Sequence, residues 1–321
     1  MRLSPISRLL CAGVLAATCN LAVAQNWPAG PIRMMVPFAP GSNNDTIGRL
    51  LGNSIGAALG TTVVIENRPG AGGNIGAEIA ARAAPDGQTL FQVNSSHAIS
   101  VTLYDKLGYD LVRDFAPVSM IGSAPYFLTV HPSLPVKSLQ NVIALARKRP
   151  GDLNIGSAGA GTYLWVELFK SVAGIDAAHI VYKGTPQVAT AVLSGEISFG
   201  VVTTVNAIAQ VKNGRLRGIA VTGDARSSLL PEVPTVIEAG LPLLEATTWY
   251  GLMVPAGVPK NIINRLNAET LKALKQPLVL DRLDNMDIRT SGSTPEQFAA
   301  FIRTEVARWG IVVKASGAKP I

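Results

Sequence analysis

Two loops in this chain have the composition of small-anion sites. The first contains Phe38, Ala39, Pro40, Gly41, Ser42, Asn43, Asn44 and Asp45, and the second runs from Gly156 through Ser157, Ala158, Gly159, Ala160 and Gly161 to Thr162. Each stands between an apolar strand and a helix start, within residues 32–59 and 153–174. Glycine lets the backbone approach a ligand, and the free N–H groups of a first helical turn attract anions. The two loops together predict a clamp for a small anion.

Each loop also has a purely structural interpretation. Asp45 can either contact a ligand or complement the helix dipole, and Asn43 or Asn44 can cap the helix. The second loop has the outline of a nucleotide-binding P-loop but lacks its lysine, so a carboxylate is favoured over a phosphate chain. Its glycines can equally serve only to turn the chain sharply.

Further candidates follow other strands at positions where cleft contacts gather. Ser95, Ser96 and His97 come after the third strand, and His97 either donates to an anion or is a satisfied structural histidine. Tyr182 and Thr185 lie at the end of one later strand, and Thr203 and Thr204 follow the next. The hydroxyl groups of these residues are predicted to complete the lining of the site, or else they are polar strand ends without a function.

The equipment for catalysis is missing from the sequence. His97, His131 and His179 form no metal-binding spacing, there is no Gly-x-Ser-x-Gly elbow, and Ile75 stands where a dinucleotide fingerprint needs its third glycine. His131 and His179 are interpreted as structural. We therefore expect a binding protein with no cofactor, no metal and no enzymatic activity.

The first 24 residues indicate the compartment. Arg2 and Arg8 precede an apolar run that ends in Ala22-Val23-Ala24, which is typical of a cleaved secretory signal and predicts a periplasmic protein. Lipidation at Cys19 is the alternative. Cleavage would remove both cysteines and two arginines, and so lower the net charge from +7 to +5. This small positive net charge, without a run of Lys and Arg residues, argues against nucleic acid as a partner.

Alternating strand and helix patterns predict an α/β fold with two lobes. Gly60 is predicted to end the first helix, a strand is predicted at residues 126–131, and Thr294 with Gln297 is predicted to cap the start of the last helix. The pattern resets near residue 125, and helices after residue 250 need the first lobe to pack on. Lobe 1 is therefore predicted to comprise residues 25–125 and 247–321, and lobe 2 residues 126–246. Two crossovers then join the lobes around a hinged ligand cleft.

At several ordered blocks the chain resembles the Bug family, the extracytoplasmic solute receptors of tripartite tricarboxylate transporters. The blocks are Val36-Pro37-Phe38-Ala39-Pro40-Gly41, the segment from Glu66 to Gly76, Ala84-Pro85-Asp86-Gly87, Val181-Tyr182-Lys183-Gly184, Leu230-Pro231-Glu232-Val233-Pro234-Thr235 and Thr294-Pro295-Glu296-Gln297-Phe298. The resemblance implies a type II periplasmic-binding-protein fold, a monomer, a small carboxylate ligand, and delivery to one large and one small membrane subunit. It also implies that the two loops and the segment Ser95-Ser96-His97 hold the carboxylate.

Departures from the family pattern bear on the ligand. Ser42-Asn43-Asn44 adds side-chain donors to the first loop, Trp165 stands where members carry His, and Val202 stands where many carry Asp. Because valine cannot neutralise an ammonium group, we expect an organic acid without one, whose body packs against Phe38, Tyr163 or Trp165. The alternatives are an amino-acid-binding member of the family and a sensor that presents its closed form to a membrane kinase.

Overall fold

The computed structural model describes residues 27–316, 318 and 319, which form two α/β lobes. The predicted signal peptide and both cysteines lie outside the described residues. Among the residues described, none of the helices combines the length and apolar composition needed to cross a bilayer.

The first lobe begins with alternating strands and helices. They are β1 (Ile32–Val36), α1 (Asn43–Leu59), β2 (Val63–Asn67), a 3-10 turn (Ala71–Gly73), α2 (Asn74–Ala81), β3 (Thr89–Asn94) and α3 (Ser95–Leu103). β1 pairs in parallel with β2 and β3. Helix α1 forms because Ile47, Leu51 and Ile55 recur at helical spacing and are fully buried against the sheet. It ends where Gly60 takes a left-handed conformation.

Two long antiparallel strands, β4 (Phe115–Val130) and β9 (Thr247–Pro255), join the lobes. β4 pairs with β9 as far as Pro125 opposite Thr247, and from Tyr126 onward it pairs with strands of the second lobe. The lobe boundaries at 125/126 and 246/247 stay a prediction, which this change of partner supports.

The second lobe repeats the strand–helix alternation. It contains α4 (Leu139–Lys148), β5 (Asn154–Ala158), α5 (Gly159–Ala173), β6 (Ala178–Tyr182), α6 (Thr185–Ser194), β7 (Phe199–Thr203), α7 (Thr204–Lys212), β8 (Arg217–Val221) and a 3-10 turn (Pro242–Leu244). β5 pairs in parallel with β6 and β7, and β4 pairs antiparallel with β7 and β8. The carboxyl ends of the parallel strands in both lobes therefore open towards one cleft.

The chain finishes on the first lobe with α8 (Lys260–Ala273), α9 (Pro277–Asp284), β10 (Arg289–Thr290) and α10 (Pro295–Ser316). Ile262 and Leu266 of α8 pack in one apolar core with α1, whereas Phe298 and Ile302 of α10 pack in another with α3. As predicted, Thr294 and Gln297 exchange capping hydrogen bonds at the start of α10.

The structure corrects three expectations about local structure. The cap of α1 is Ser42, whose hydroxyl accepts the Asp45 N–H, and not Asn43 or Asn44. Helix α3 has no counterpart in the predicted elements. Strand β4 has 16 residues, whereas the predicted strand covers only residues 126–131, because the part of β4 before Tyr126 lacks a simple apolar alternation. The second loop is almost absent, since β5 ends at Ala158 and α5 begins at Gly159.

Candidate functional site

A small enclosed cavity lies between the two lobes. Its lining consists of Phe38, Ser42, Asn43, Asn44, Asn94, Ser96, Tyr126, Ala158, Thr162, Thr185, Thr203, Thr248 and Tyr250. We call it the inner cavity. Its volume is about 20 Å³, which is room for roughly one water molecule. None of these side chains is charged, and the polar ones carry hydroxyl or amide groups.

Asn43 connects the two lobes across the inner cavity. Its Nδ2 donates to Thr204 Oγ1 at 2.9 Å and to Tyr250 Oη at 3.1 Å, and its Oδ1 accepts the Val205 N–H at 3.2 Å. The side chain therefore caps α7 of the second lobe from the first lobe. Both the amide nitrogen and the amide oxygen of Asn43 therefore have hydrogen-bond partners in this arrangement of the lobes.

Asn44 has an amide donor left over. Its Oδ1 accepts from Asn94 Nδ2 at 3.1 Å, while its Nδ2 is buried and has no hydrogen-bond partner among the residues that the structure describes. The residue is only 4% exposed and lines the inner cavity. A buried donor without an acceptor is unfavourable, so this group is suited to a ligand oxygen.

Asp45 is predicted to contact the ligand but is absent from the inner cavity's lining. Its carboxylate accepts from Gly41 N at 3.0 Å, from Asn67 Nδ2 at 3.0 Å and from Arg49 Nε at 3.1 Å. Burial raises the pKa of Asp45, but the hydrogen bonds from Arg49, Gly41 and Asn67 outweigh it and hold the pKa below its ordinary value. In this structure the Asp45 carboxylate therefore stabilises the conformation of the first loop.

The other residues of the first loop lie beside the second lobe. A Cβ on Gly184 would meet Ala39 Cβ at 2.7 Å, and one on Gly41 would meet Pro186 Cγ at 3.8 Å. Pro40 is exposed. Phe38 is the wall between the cavity and the outside, as its ring is 7% exposed.

The start of α3 forms the floor of the site. Asn94 Oδ1 accepts the Ser96 N–H at 3.0 Å, Ser95 Oγ lies 2.9 Å from Thr248 Oγ1, and Ser96 Oγ accepts the Gly161 N–H of the other lobe at 3.2 Å. Ser96 lines the inner cavity, whereas Ser95 stands behind Thr248.

His97 is placed in a structural position, although its role as a ligand contact is not tested. Its Nδ1 accepts the Asn94 N–H at 3.1 Å in the capping box of α3, and its ring meets the Phe91 ring edge-to-face with centroids 5.0 Å apart. The side chain does not line the inner cavity. Complete burial lowers the pKa of His97 to about 4, so the ring is neutral near pH 7.

The second loop is split between the cavity and its surroundings. Ala158 and Thr162 line the cavity, and Thr162 Oγ1 bonds back to Ala158 O at 2.7 Å. Ala160 and Tyr163 belong to an apolar core shared with the first lobe, so α5 packs across the lobe interface. Gly159 has φ 77° and touches the Phe38 ring, and Gly161 N donates to Ser96 as described.

Ser157 faces away from the cavity and joins a buried hydrogen-bond chain. Its Oγ lies 2.6 Å from His179 Nε2, and His179 Nδ1 lies 2.6 Å from Glu167 Oε1. This is the order of a serine–histidine–acid triad, which the separate sequence positions do not reveal. Ser157 is 0% exposed and lines no part of the inner cavity, so its hydroxyl cannot meet a substrate there. The chain fixes α5 to β5 and β6.

The remaining predicted hydroxyl groups lie in different places, some inside the inner cavity and some outside it. Thr203 lines the cavity and its Oγ1 donates to Asn206 Oδ1 at 3.1 Å. Tyr182 donates to Glu196 Oε1 at 2.8 Å and lies outside the inner cavity.

Two expectations about ligand contacts do not fit the side-chain positions. Trp165 is 2% exposed, stacks on Phe169 and donates to Leu244 O at 2.8 Å, which places it in the core of the second lobe. Tyr163 stacks on His179 instead of facing the cavity. Val202 is fully buried among apolar side chains, so it says nothing about an ammonium group.

Four lining residues lie outside the predicted set: Asn94, Tyr126, Thr248 and Tyr250. Asn94 ends β3, and a position at a strand end is the signal on which the prediction of Thr203 was based. Tyr126, Thr248 and Tyr250 come from the crossover strands β4 and β9, where the predicted hinge gave a hint. Burial raises the pKa values of Tyr126 and Tyr250, so both phenols stay protonated and able to donate.

Two lobes that meet over a small, uncharged, donor-rich cavity define a cleft-type solute-binding protein. Among the described residues there is no group of three His, Cys, Asp or Glu side chains that could hold a metal ion. Residues 47–318 match the family "Tripartite tricarboxylate transporter family receptor". The chain belongs to this family of tripartite tricarboxylate transporter receptors, as the resemblance predicted.

Sequence relatives and solved structures are similar to this chain over most of its length. Protein BugT of Bordetella pertussis is 34% identical over 322 residues, covering 98% of this chain and 99% of that protein. The structure of Rpa4515 from R. palustris with adipate superposes with a TM-score of 0.87 at 31% identity, covering 92% of this chain and 100% of the other. MatC (Rpa3494) from Rhodopseudomonas palustris with bound malate gives 0.84 at 30% identity, covering 89% and 100%. The predicted two-lobed periplasmic-binding-protein fold is thereby confirmed.

Proposed function

We propose that this chain is a periplasmic receptor that binds a small organic acid between its lobes and delivers it to the membrane subunits of a tripartite tricarboxylate transporter. Family membership and the relatives with adipate and malate support this proposal. The observation that carries it is the buried, unpartnered Nδ2 of Asn44 in an interlobe cavity lined by neutral donors.

A carboxylate fits this cavity because its oxygens need several hydrogen-bond donors once they leave water. Asn44 Nδ2 offers one, and Ser96, Tyr126 and Thr248 offer hydroxyl groups from the start of α3 and from the two crossover strands. Among the lining residues that the structure describes, none has a positive side chain. The binding free energy therefore comes from oriented neutral groups in a site that excludes water.

The absence of an acidic lining residue argues for a ligand without an ammonium group. Asp45 is the nearest acid in the loop sequence, but its carboxylate is occupied by Arg49, Asn67 and the Gly41 N–H. A ligand ammonium in the inner cavity would have no counter-charge.

Lobe separation is required for entry, since a cavity of about 20 Å³ is smaller than the roughly 300 Å³ or more of typical ligand pockets. Contacts from both lobes exist together only in the closed arrangement, so the ligand favours closure. We propose that the membrane subunits recognise this closed form, that the chain acts as a monomer, and that it catalyses no reaction.

The substitution Asn44→Asp tests the proposal. It keeps the oxygen that accepts from Asn94 and replaces the free donor with a negative oxygen. We expect affinity for the best-binding acid in a series that includes adipate and malate to fall by about tenfold or more, measured by titration calorimetry.

Asn53→Asp is the matched control, because Asn53 is exposed on the same helix. It should leave affinity unchanged. If Asn44→Asp keeps the melting temperature of the wild type and also its affinity, or if no organic acid binds the wild type, the proposed function is wrong.

A further inference from the structure

A second, larger crevice opens between the lobes beside the inner cavity. Its lining consists of Phe38, Gly70, Ala71, Gly72, Gly73, Gly159, Val181, Tyr182 and Lys183, and its volume is about 280 Å³. We call it the outer crevice. The first lobe supplies the glycine-rich turn before α2, and the second lobe supplies the end of β6.

Phe38 is the partition between the two spaces, because it lines both of them. A Cβ on Gly159 would lie 2.9 Å from Phe38 Cε1, and one on Gly73 would lie 3.1 Å from Phe38 Cζ. The ring thus fits between two glycines, one from each lobe. A ligand held in the inner cavity reaches the outer crevice by passing this ring.

The first-lobe wall of the crevice has an unusual backbone. Gly70, Ala71, Gly72 and Gly73 have φ angles of 132°, 45°, 66° and 103°. Glycine adopts positive φ without a steric penalty, whereas Ala71 is one of two non-glycine residues with positive φ in the described chain. The Gly73 N–H closes this turn by donating to Gly70 O at 3.0 Å.

The second-lobe wall carries a cation. Lys183 is exposed and forms no ion pair with any residue that the structure describes. Its own backbone is held, since Lys183 N donates to Gln187 Oε1 at 3.1 Å. The neighbouring acid, Glu196, accepts from Tyr182. The crevice therefore has a positive side chain next to a neutral inner cavity.

We propose that the outer crevice is the subsite for a second anionic group of the ligand and that Lys183 selects for it. This proposal rests on the proposed function. One carboxylate occupies the neutral inner cavity, the ligand's carbon chain passes Phe38, and the second carboxylate lies within reach of the Lys183 ammonium. The receptor consequently prefers elongated dicarboxylates to monocarboxylates of the same chain length.

A dicarboxylate and a monocarboxylate of the same chain length distinguish binding at the outer crevice from binding at the inner cavity. Adipate and hexanoate share a six-carbon chain, as glutarate and pentanoate share five carbons, so each pair differs by one carboxylate. Calorimetry on wild type, Lys183→Met and Lys183→Glu measures both members. We expect Lys183→Met to weaken diacid binding roughly fivefold, as for one partly exposed ion pair, and to leave the monoacid within about twofold of wild type. Lys183→Glu should weaken the diacid further.

Lys148→Met is the control, because Lys148 is an exposed lysine at the end of α4, away from the crevice. It should not alter either acid. If the Lys183 variants change both members of a pair equally, or change neither, the second subsite is wrong while the receptor function stands. If wild type binds no acid of either kind, both proposals fail.

Discussion

At the scale of single residues, the inner cavity relies on groups that do not titrate near neutral pH. The donors are amides and hydroxyls, and burial pushes the phenol pKa values of Tyr126 and Tyr250 upward. The buried His97, by contrast, does titrate in an accessible range. Its ring is enclosed by Phe91 and Phe38, and it bonds to the Asn94 backbone.

His97 makes stability depend on pH. Burial lowers its pKa from 6.5 to about 4 in the folded protein, so the unfolded chain binds more protons between these values. The contribution of His97 to the free energy of unfolding is therefore complete above pH 6.5. It is lost as the pH drops towards 4, and the loss for this group is about 3 kcal/mol. His97→Gln should flatten the curve of melting temperature against pH in that window.

A buried residue that does not titrate provides the comparison for this measurement. Thr270 is fully buried in α8 and donates to Leu266 O at 2.7 Å, so Thr270→Val should keep the wild-type slope of melting temperature against pH. An equal slope in His97→Gln and wild type would refute the assignment. The buried His179, whose pKa is also lowered by burial, accounts for a remaining slope.

At the scale of elements, the sequence predicted those features that local chemistry specifies. Gly60 ends α1 because only a left-handed residue closes that helix, and Thr294 with Gln297 starts α10 through a capping box. Helix α3 was missed because Ser95, Ser96 and Ser100 resemble a polar loop, although all three are buried. Trp165 was misplaced because its face of α5 is fixed by packing on Leu244 and Phe169.

The site residues likewise divide into those that local sequence indicates and those that depend on tertiary packing. The Gly, Ser and Asn content of the loops led to the prediction of Asn44 and Thr162 as ligand contacts, and both residues line the inner cavity. It could not identify Tyr126, Thr248 and Tyr250, because crossover side chains meet the loops only after both lobes are assembled. The chain of Ser157, Glu167 and His179 depends likewise on the pairing of β5 with β6.

Gly60 allows a direct test of one element. It has φ 66°, and a Cβ built there meets nothing within 4 Å. Gly60→Ala should therefore lower the free energy of unfolding by about 1–2 kcal/mol through backbone strain alone, measured by chemical denaturation. Gly60→Asn should cost less, since asparagine tolerates this conformation.

The control for strain is a glycine with ordinary φ and similar space. Gly30 is such a position, where an added Cβ would meet only Gln88 Nε2 at 4.0 Å. Gly30→Ala should leave stability near that of wild type. Equal stabilities of Gly60→Ala and Gly30→Ala would contradict the assigned role of the left-handed cap.

At the scale of the whole molecule, a few polar bonds and one apolar face hold the lobes together. Asn43 caps α7 and Ser96 accepts the Gly161 N–H, while Ala160 and Leu164 of α5 enter a core of the first lobe. Asn206 adds a bond outside the cavity, because its Nδ2 donates to Gly41 O at 3.3 Å. In the proposed opening of the lobes these contacts break, and we expect them to set the equilibrium on which ligand binding acts.

Asn206→Asp isolates the closure step from ligand contact. The new carboxylate keeps the oxygen that accepts from both Thr185 and Thr203 within its own lobe, but its second oxygen faces the carbonyl oxygen of Gly41 and repels it. Losing one hydrogen bond of about 1 kcal/mol should reduce the closed fraction and weaken apparent ligand affinity roughly fivefold. Small-angle scattering should show a larger radius of gyration without ligand and the wild-type value at saturation. Asn213→Asp, at the exposed end of the same helix, should change neither quantity. If Asn206→Asp weakens binding while the ligand-free radius of gyration stays at the wild-type value, closure is not the step that Asn206 controls.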